Sequence, residues 1–186
     1  MFNENILYIM NKKILFLDRD GVINYDYGYI ANINKFTLYL DSIVLIKKAI
    51  KNNYLVHIVT NQSGIARKYF SVEDFYQIMD YLERNLSNHG ISNISYSFCP
   101  HRPEENCSCR KPAKGIVSEF LKKNSIDSKN SIMVGDKFSD IQFGKNLNLR
   151  KLFRIERKKS ISLEKCNKLK ISYYSVNSLS KIVEYL

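Results

Sequence analysis

Regular patterning begins with Ile14-Leu15-Phe16-Leu17, an unbroken apolar run that ends on the carboxylate of Asp18 and leads into Arg19-Asp20-Gly21. Four consecutive apolar residues bounded by a turn signal read as a strand buried on both faces, with Asp18 at its carboxyl end. From Asp41 to Asn52, Ile43, Ile46 and Ile50 recur at helical spacing, with Ser42 as the expected cap, and Asn52-Asn53 closes the helix before the strand Leu55 to Val59. Ser71-Val-Glu-Asp74 has the form of a capping box for a helix running to about Leu86, and Ile94 to Phe98 alternates as a third strand. A helix near Gly115 to Asn124, a strand Ser131 to Val134, a helix after Asp136 and a strand near Leu152 to Ile155 continue the alternation.

Alternating strands and helices predict an α/β fold: a Rossmann-like parallel sheet with helices on both faces. Ligands of such sheets bind beyond the carboxyl ends of the strands, where strand order reverses. No repeat, low-complexity tract or linker interrupts the pattern, so residues 1–186 read as one domain. The first strand starts just after Met10, which makes residues 1–9 an expected appendage and Met10 a candidate initiator. The basic stretch Arg154 to Lys170 reads as an irregular, solvated surface segment.

Composition narrows the setting. No apolar run is long enough to span a bilayer, and Met1 to Asn5 lacks the basic flank and cleavage site of a secretory signal, so a cytoplasmic protein without a membrane partner is expected. The net charge of +11 fits a lysine-rich solvated surface, an anionic small molecule or nucleic acid. A basic zinc-bearing nucleic-acid module is the rival reading, but helix-turn-helix, RNP and paired zinc-finger spacings are missing, so no nucleic-acid partner is expected. No apolar surface stripe is evident, which favours a monomer.

The densest chemistry is Asp18-Arg-Asp20-Gly-Val-Ile-Asn24, two carboxylates one residue apart at the end of a buried strand. Burying them is costly unless they are used or bound to a cation. Asp136 and Asp140 follow the strand ending at Val134, and a parallel sheet would bring both groups to one edge. Converging carboxylates are ligands for Mg²⁺, which also takes phosphate oxygens, so phosphoryl transfer is implied. One aspartate would attack phosphorus, and the other would protonate the leaving oxygen and later activate water. Thr60-Asn61-Gln62-Ser63-Gly64 supplies donors for phosphate oxygens where the second strand ends, and Arg110 and Lys111 supply positive charge.

Cys99, His101, Cys107 and Cys109 form the ligand set of a closed tetrahedral zinc site, structural because no position is left for a substrate water. The loop has Pro100, Pro103 and few apolar side chains, so zinc would supply its folding energy, on the order of 10 kcal/mol. It ends immediately before Arg110-Lys111-Pro112 and so would hold those cations over the site. Cys166, alone in a lysine-rich stretch, is assigned no role.

These elements, in this order from Lys13 to about Ile155, resemble the haloacid-dehalogenase (HAD) phosphatase superfamily. The resemblance implies Asp18 as nucleophile, Asp20 as general acid and base, and Thr60 and Lys111 as the groups steadying the phosphoryl. It implies Mg²⁺ on Asp18, the Asp20 carbonyl and Asp136, while Asp140 either orients its neighbours or is a plain exposed helix residue. The intervals Asp20 to Thr60 and Ser63 to Arg110 leave no room for an inserted cap domain. Asp26-Tyr27-Gly28-Tyr29, the Thr60 to Arg67 run, the zinc loop and Gly135-Asp136-Lys137 are similar to the zinc-loop subgroup of heptose 1,7-bisphosphate phosphatases, to which the histidinol-phosphate phosphatases are related. That likeness implies a sugar bisphosphate cleaved at C7 in building lipopolysaccharide core or a related heptose glycan, bound by Asp26, Tyr27, Gly28, Tyr29, Thr60, Asn61, Gln62, Ser63, Arg110, Lys111 and Lys137. Two departures bear on the substrate: the zinc loop is shorter than in some heptose enzymes, and Lys114 stands where a proline is common.

Overall fold

The computed structural model describes residues 11–157 and 171–186. Its centre is β1 (Lys13–Leu17), flanked by two parallel neighbours, β2 (Tyr54–Asn61) and β4 (Ile132–Gly135). With β3 (Ser95–Cys99), β5 (Lys151–Ile155) and β6 (Tyr174–Val176) the sheet runs β3-β2-β1-β4-β5-β6, and every pairing is parallel. The apolar run is unbroken because β1 is covered on both faces. Leu15 and Leu17 belong to one hydrophobic cluster with Ile43, Leu45 and Ile46, whereas Ile14 and Phe16 belong to another with Met133, Ile141 and Phe143. All four side chains are completely buried.

The crossovers are α1 (Leu40–Lys51), α2 (Val72–Asn88), α3 (Ser118–Lys123) and α4 (Phe138–Asn146). The connection leaves β1 toward β2 and later returns on the other side at β4, so order reverses between β1 and β4. The amide of Asp18 donates to the Val134 carbonyl at 3.0 Å and stitches these two strand ends together. No cap domain interrupts either crossover, and among the described residues no helix is long and apolar enough to cross a membrane.

Several local expectations are corrected. Ser42 does not cap α1: the N-cap is Tyr39, without a side-chain bond, and buried Ser42 donates to the Tyr39 carbonyl at 2.6 Å from inside the helix. Ile50 is 40% exposed, and the inward stripe is Ile43, Leu45, Ile46 and Ala49. The capping box of α2 is present, with Ser71 Oγ accepting from the Asp74 amide. The stretch after Arg110 opens with a 3-10 turn, Lys114–Val117, before α3. There the backbone is pressed against the cysteine loop, so that a β-carbon on Gly115 would lie 2.3 Å from the Ser108 carbonyl oxygen.

Arg154 is buried within β5, not part of a solvated tail. Sequence patterning also missed β6 and the closing 3-10 turn Leu179–Tyr185, whose Leu179 and Ile182 are fully buried. Residues 1–9, Met10, Cys166 and the basic stretch after Arg157 lie outside the described residues.

Candidate active site

Asp18, Asp136 and Asp140 converge where strand order reverses, each offering a carboxylate oxygen within 4.8 Å of the others. Lys111 reaches into this group from the end of the cysteine loop. Its ammonium donates to Asp18 Oδ1 at 2.7 Å and to the Val59 carbonyl at 2.6 Å, and it pairs with Asp140 Oδ1 at 2.6 Å. Three acceptors match the three protons of an ammonium. Burial works against the charge on Lys111, but Asp140 and Asp18 together hold its pKa above the ordinary lysine value.

Asp140 is buried and works with two sides of its carboxylate. Oδ1 meets Lys111, and Oδ2 accepts from the Lys137 amide at 3.0 Å, closing the first turn of α4. Gly135 is required for this approach, since a β-carbon there would lie 2.1 Å from Asp140 Cβ.

The carboxylates carry more negative charge than Lys111 offsets. Burial pushes the Asp18 pKa up to about 6, against the pull of Lys111 and with a further push from Asp140. Burial, followed by the Asp18 charge, raises Asp136 to about 8. Asp136 Oδ1 is buried without a hydrogen-bond partner, and its nearest cation is Lys137 Nζ at 4.0 Å. An orphaned carboxylate oxygen facing two further carboxylates is a donor set that a hard divalent cation satisfies. Gly21, at φ +85°, lets the catalytic turn close on this group, because its β-carbon would sit 2.6 Å from Asp136 Oδ2.

Asp20 points elsewhere. Arg19, fully buried, grips it through Nε to Oδ1 at 3.2 Å and Nη2 to Oδ2 at 2.9 Å. Asn24 Nδ2 and Gln62 Nε2 each donate to it at 2.9 Å. Burial alone would raise this carboxyl, but Arg19 and the two amides hold it below the usual range. Its carboxylate is therefore outside the three-aspartate cluster, which leaves its backbone carbonyl as the candidate ligand.

The end of β2 fastens both halves together. Gln62 Nε2 also donates to Thr60 Oγ1 at 2.8 Å, and Asn61 clasps the Lys111 backbone, accepting from its amide at 3.0 Å and donating to its carbonyl at 3.2 Å. Ser63 starts the following turn, its carbonyl accepting from the Arg67 amide.

On the rim, Asp26 accepts from the Gly28 amide at 2.9 Å and pairs with Lys137 at 3.3 Å. Tyr27 is 62% exposed, and Tyr29 stands edge-on to Tyr69 at 4.7 Å between ring centres. An open cleft of about 410 Å³ runs from Asp136 and Gly21 past Asp26, Lys137 and Tyr39 to Arg157.

Cys99, His101, Cys107 and Cys109 are drawn together, with five of their ligand-atom separations between 3.2 and 3.6 Å. Four ligands around a zinc ion stand about 3.4–3.8 Å apart, so the cluster could hold a tetrahedral metal ion. Arg110 Nη1 donates to the His101 carbonyl at 3.0 Å. It does not pair with the glutamates of its own loop: Glu104 faces Arg67 at 3.7 Å and Glu105 accepts from the Arg102 amide.

Sequence reasoning left Asp140 undecided between orienting group and exposed helix residue, and it assigned nothing to Arg19, Asn24, Tyr39, Asp41 or Arg157. Arg19, an arginine at the end of a buried strand between two aspartates, carried a signal. Arg157 carried none, since it fell in a stretch read as a tail.

The family described as polynucleotide kinase 3 phosphatase matches residues 13–162. The D-glycero-beta-D-manno-heptose-1,7-bisphosphate 7-phosphatase of Pasteurella multocida (strain Pm70) is 34% identical over 181 residues, covering 94% of this chain and 98% of that one. The enzyme of the same name from Haemophilus influenzae is 41% identical over 142 residues, or 73% of this chain and 76% of that one. The solved structure of D,D-heptose 1.7-bisphosphate phosphatase from B. bronchiseptica, complexed with magnesium and phosphate, superposes with a TM-score of 0.78 over 92% of this chain and 96% of that one. At 24% identity, that likeness speaks for the fold alone. The two curated relatives carry the assignment further: the chain belongs to the family of D-glycero-D-manno-heptose-1,7-bisphosphate 7-phosphatases, a branch of the HAD phosphatases.

Proposed function

We propose that the protein hydrolyses D-glycero-D-manno-heptose 1,7-bisphosphate at C7, leaving the heptose 1-phosphate, through a phosphoryl group carried on Asp18. The observation that carries this reading is the contact of Lys111, at the end of the cysteine loop, with Asp18 at 2.7 Å, in a chain matched to a heptose bisphosphate phosphatase over 98% of the relative's length.

Asp18 Oδ attacks phosphorus, and the bond from phosphorus to the C7 oxygen breaks. Lys111 and Thr60 steady the phosphoryl oxygens while Asp20 protonates the leaving alkoxide. In the second half-reaction Asp20 takes a proton from the water that attacks the aspartyl-phosphate, freeing inorganic phosphate and the Asp18 carboxylate. The resting grip of Arg19, Asn24 and Gln62 keeps Asp20 in its basic form, suited to that second step. An incoming phosphate dianion raises the proton affinity of the same carboxyl, the condition for the first. Mg²⁺, for which Asp18, Asp136 and the Asp20 carbonyl are the ligands, supplies charge neutralisation at the phosphoryl oxygens.

Zn²⁺ on Cys99, His101, Cys107 and Cys109 holds the loop that ends at Arg110 and Lys111, in a cytoplasmic setting where thiols stay reduced. Arg110, whose planar fork suits phosphate, takes the phosphate that remains. Asp26, Tyr27, Gly28, Tyr29, Asn61, Gln62, Ser63 and Lys137 offer hydrogen-bonding groups and surface for the sugar. Histidinol phosphate has no second phosphate, and its ammonium is repelled by Arg110. The product belongs to a route that builds lipopolysaccharide core or a related heptose glycan.

Specificity constants for both anomers of the bisphosphate, for histidinol phosphate and for a 3′-phosphorylated oligonucleotide test the reading, with ³¹P NMR identifying which phosphate leaves. A bisphosphate preference of about 10-fold or more, lost in Arg110→Ala, is expected for a site built on a charged fork. Preference for either other substrate, or an unchanged ratio in Arg110→Ala, contradicts it.

A further inference from the structure

We propose that Arg157, locked in place by Asp41, is a positioning residue that holds the Asp20-Gly21-Val22 turn against Asp136. Four of its five N–H donors are spent on two tasks. Nε donates to the Gly21 carbonyl at 3.3 Å and one proton of Nη2 to the Val22 carbonyl at 3.2 Å. The other Nη2 proton and one from Nη1 go to Asp41 Oδ1 at 2.8 Å and Oδ2 at 3.1 Å. The guanidinium carbon Cζ sits over the Tyr39 ring, 3.4 Å from its centre, and Tyr39 stacks in turn on Tyr25 at 4.0 Å. A guanidinium so fully engaged is a clamp; it has too little donor capacity left to act as a receptor for a substrate anion.

Asp41 is itself held from the far side. Its Oδ2 accepts from the Leu179 amide at 3.0 Å and from Ser178 Oγ at 3.2 Å, so the C-terminal turn, α1 and the end of β5 meet at this ion pair. Burial would raise the Asp41 carboxyl, but Arg157 and the Leu179 amide hold it below the usual range. The turn that Arg157 grips is the one whose Gly21 lies so close to Asp136 that no β-carbon fits. Its Asp20 carbonyl and Asp136 are both metal ligands in the proposed function, so the inference rests on that reading. The clamp acts on the metal site from about one residue away, the way groups behind the ligands of a metal tune its affinity.

Three variants of the zinc-loaded full chain decide it: Arg157→Lys, Asp41→Asn and, as a control, Ser178→Ala. A lysine retains charge but cannot bridge two carbonyls and a carboxylate with a planar fork. Ser178→Ala removes a bond to Asp41 and the cap of the C-terminal turn while leaving Arg157 on the catalytic turn. The readouts are Mg²⁺ affinity by calorimetry, amide hydrogen exchange over residues 19–24, and the split between kcat and KM. Mg²⁺ and exchange measurements need no sugar, so they succeed or fail independently of the substrate assignment.

The expected result is Mg²⁺ binding weakened about 10-fold or more in Arg157→Lys and Asp41→Asn, the range seen when groups behind metal ligands are changed. Faster exchange in residues 19–24 and a lower kcat at nearly unchanged KM should accompany it. Ser178→Ala should lower Tm alone. Unchanged Mg²⁺ affinity and exchange in Arg157→Lys overturns the proposal, as does an equal Mg²⁺ effect in Ser178→Ala. Should Asp41→Asn not fold, Arg157→Lys alone decides on the same terms.

Discussion

Asp140→Asn isolates one charge in the most crowded part of the site. The substitution is isosteric, so packing around Gly135 is preserved, but the hydrogen bonding cannot be. Asp140 accepts from two donors, the Lys111 ammonium at 2.6 Å and the Lys137 amide at 3.0 Å. An asparagine has one oxygen, so its NH₂ must face one of those donors. Removing one partner of a buried ion pair costs about 3–5 kcal/mol when the other charge is left alone. Lys111 keeps Asp18 and the Val59 carbonyl, so the expected loss is lower, about 2–3 kcal/mol, in line with hydrogen bonds to charged groups. Loss of repulsion on Asp18 acts in the other direction. Asp140 ranks behind burial and Lys111 among the influences on that carboxyl, so the direct contact wins. For a chain of 186 residues the loss corresponds to a Tm lower by about 5–10 °C. With Lys111 no longer fixed over Asp18, kcat should fall by about 10- to 100-fold. Urea unfolding of the zinc-loaded protein and steady-state kinetics measure both, and a cycle with Lys111→Met measures the coupling. Stability within about 0.5 kcal/mol of wild type together with normal kcat would refute the reasoning.

Three further outcomes are expected. Asp136 has a folded pKa of about 8 against an ordinary 3.8, so between those values the metal-free folded chain binds more protons than the unfolded one, and its stability falls as pH rises. Mg²⁺ must displace that proton, so calorimetric affinity should strengthen by on the order of 10- to 100-fold from pH 6 to pH 8; a flat profile counts against the carboxylate cluster as the site. Chelation of zinc, or Cys107→Ala, should release the loop that positions Lys111, lowering kcat and melting temperature together, whereas full activity without bound zinc would show the loop organises nothing. Gly21→Ala should cost about 1–2 kcal/mol for its left-handed backbone and a much larger share of activity, because its β-carbon meets Asp136 at 2.6 Å; activity within a few-fold of wild type would mean the turn need not sit so close.

How much of this was legible depended on how local the determinant was. The strand before Asp18 announced itself because both faces of β1 are covered, and the capping box of α2 because Ser71 and Asp74 are three residues apart. The cysteine loop needed only ligand types and spacing. Ser42 misled because a serine near a helix start is a capping signal, whereas here its hydroxyl bonds back to Tyr39 from a buried position. The final strand has three residues and an exposed Tyr174, too short for any period to register. Asp140, Asp41 and Arg157 act through partners 29, 116 and 136 residues away along the chain, and no periodicity reports such pairings.

The most direct test of Asp18 as the phosphorylated nucleophile is to quench the working enzyme with borohydride and analyse the peptide containing residue 18. Reduction of an acyl phosphate on that side chain leaves homoserine. Homoserine at position 18 in the wild type with heptose bisphosphate and Mg²⁺, and neither homoserine nor turnover in Asp18→Asn, is the predicted result. Undiminished turnover by Asp18→Asn, or a trapped phosphoryl group on a different residue, would contradict the account.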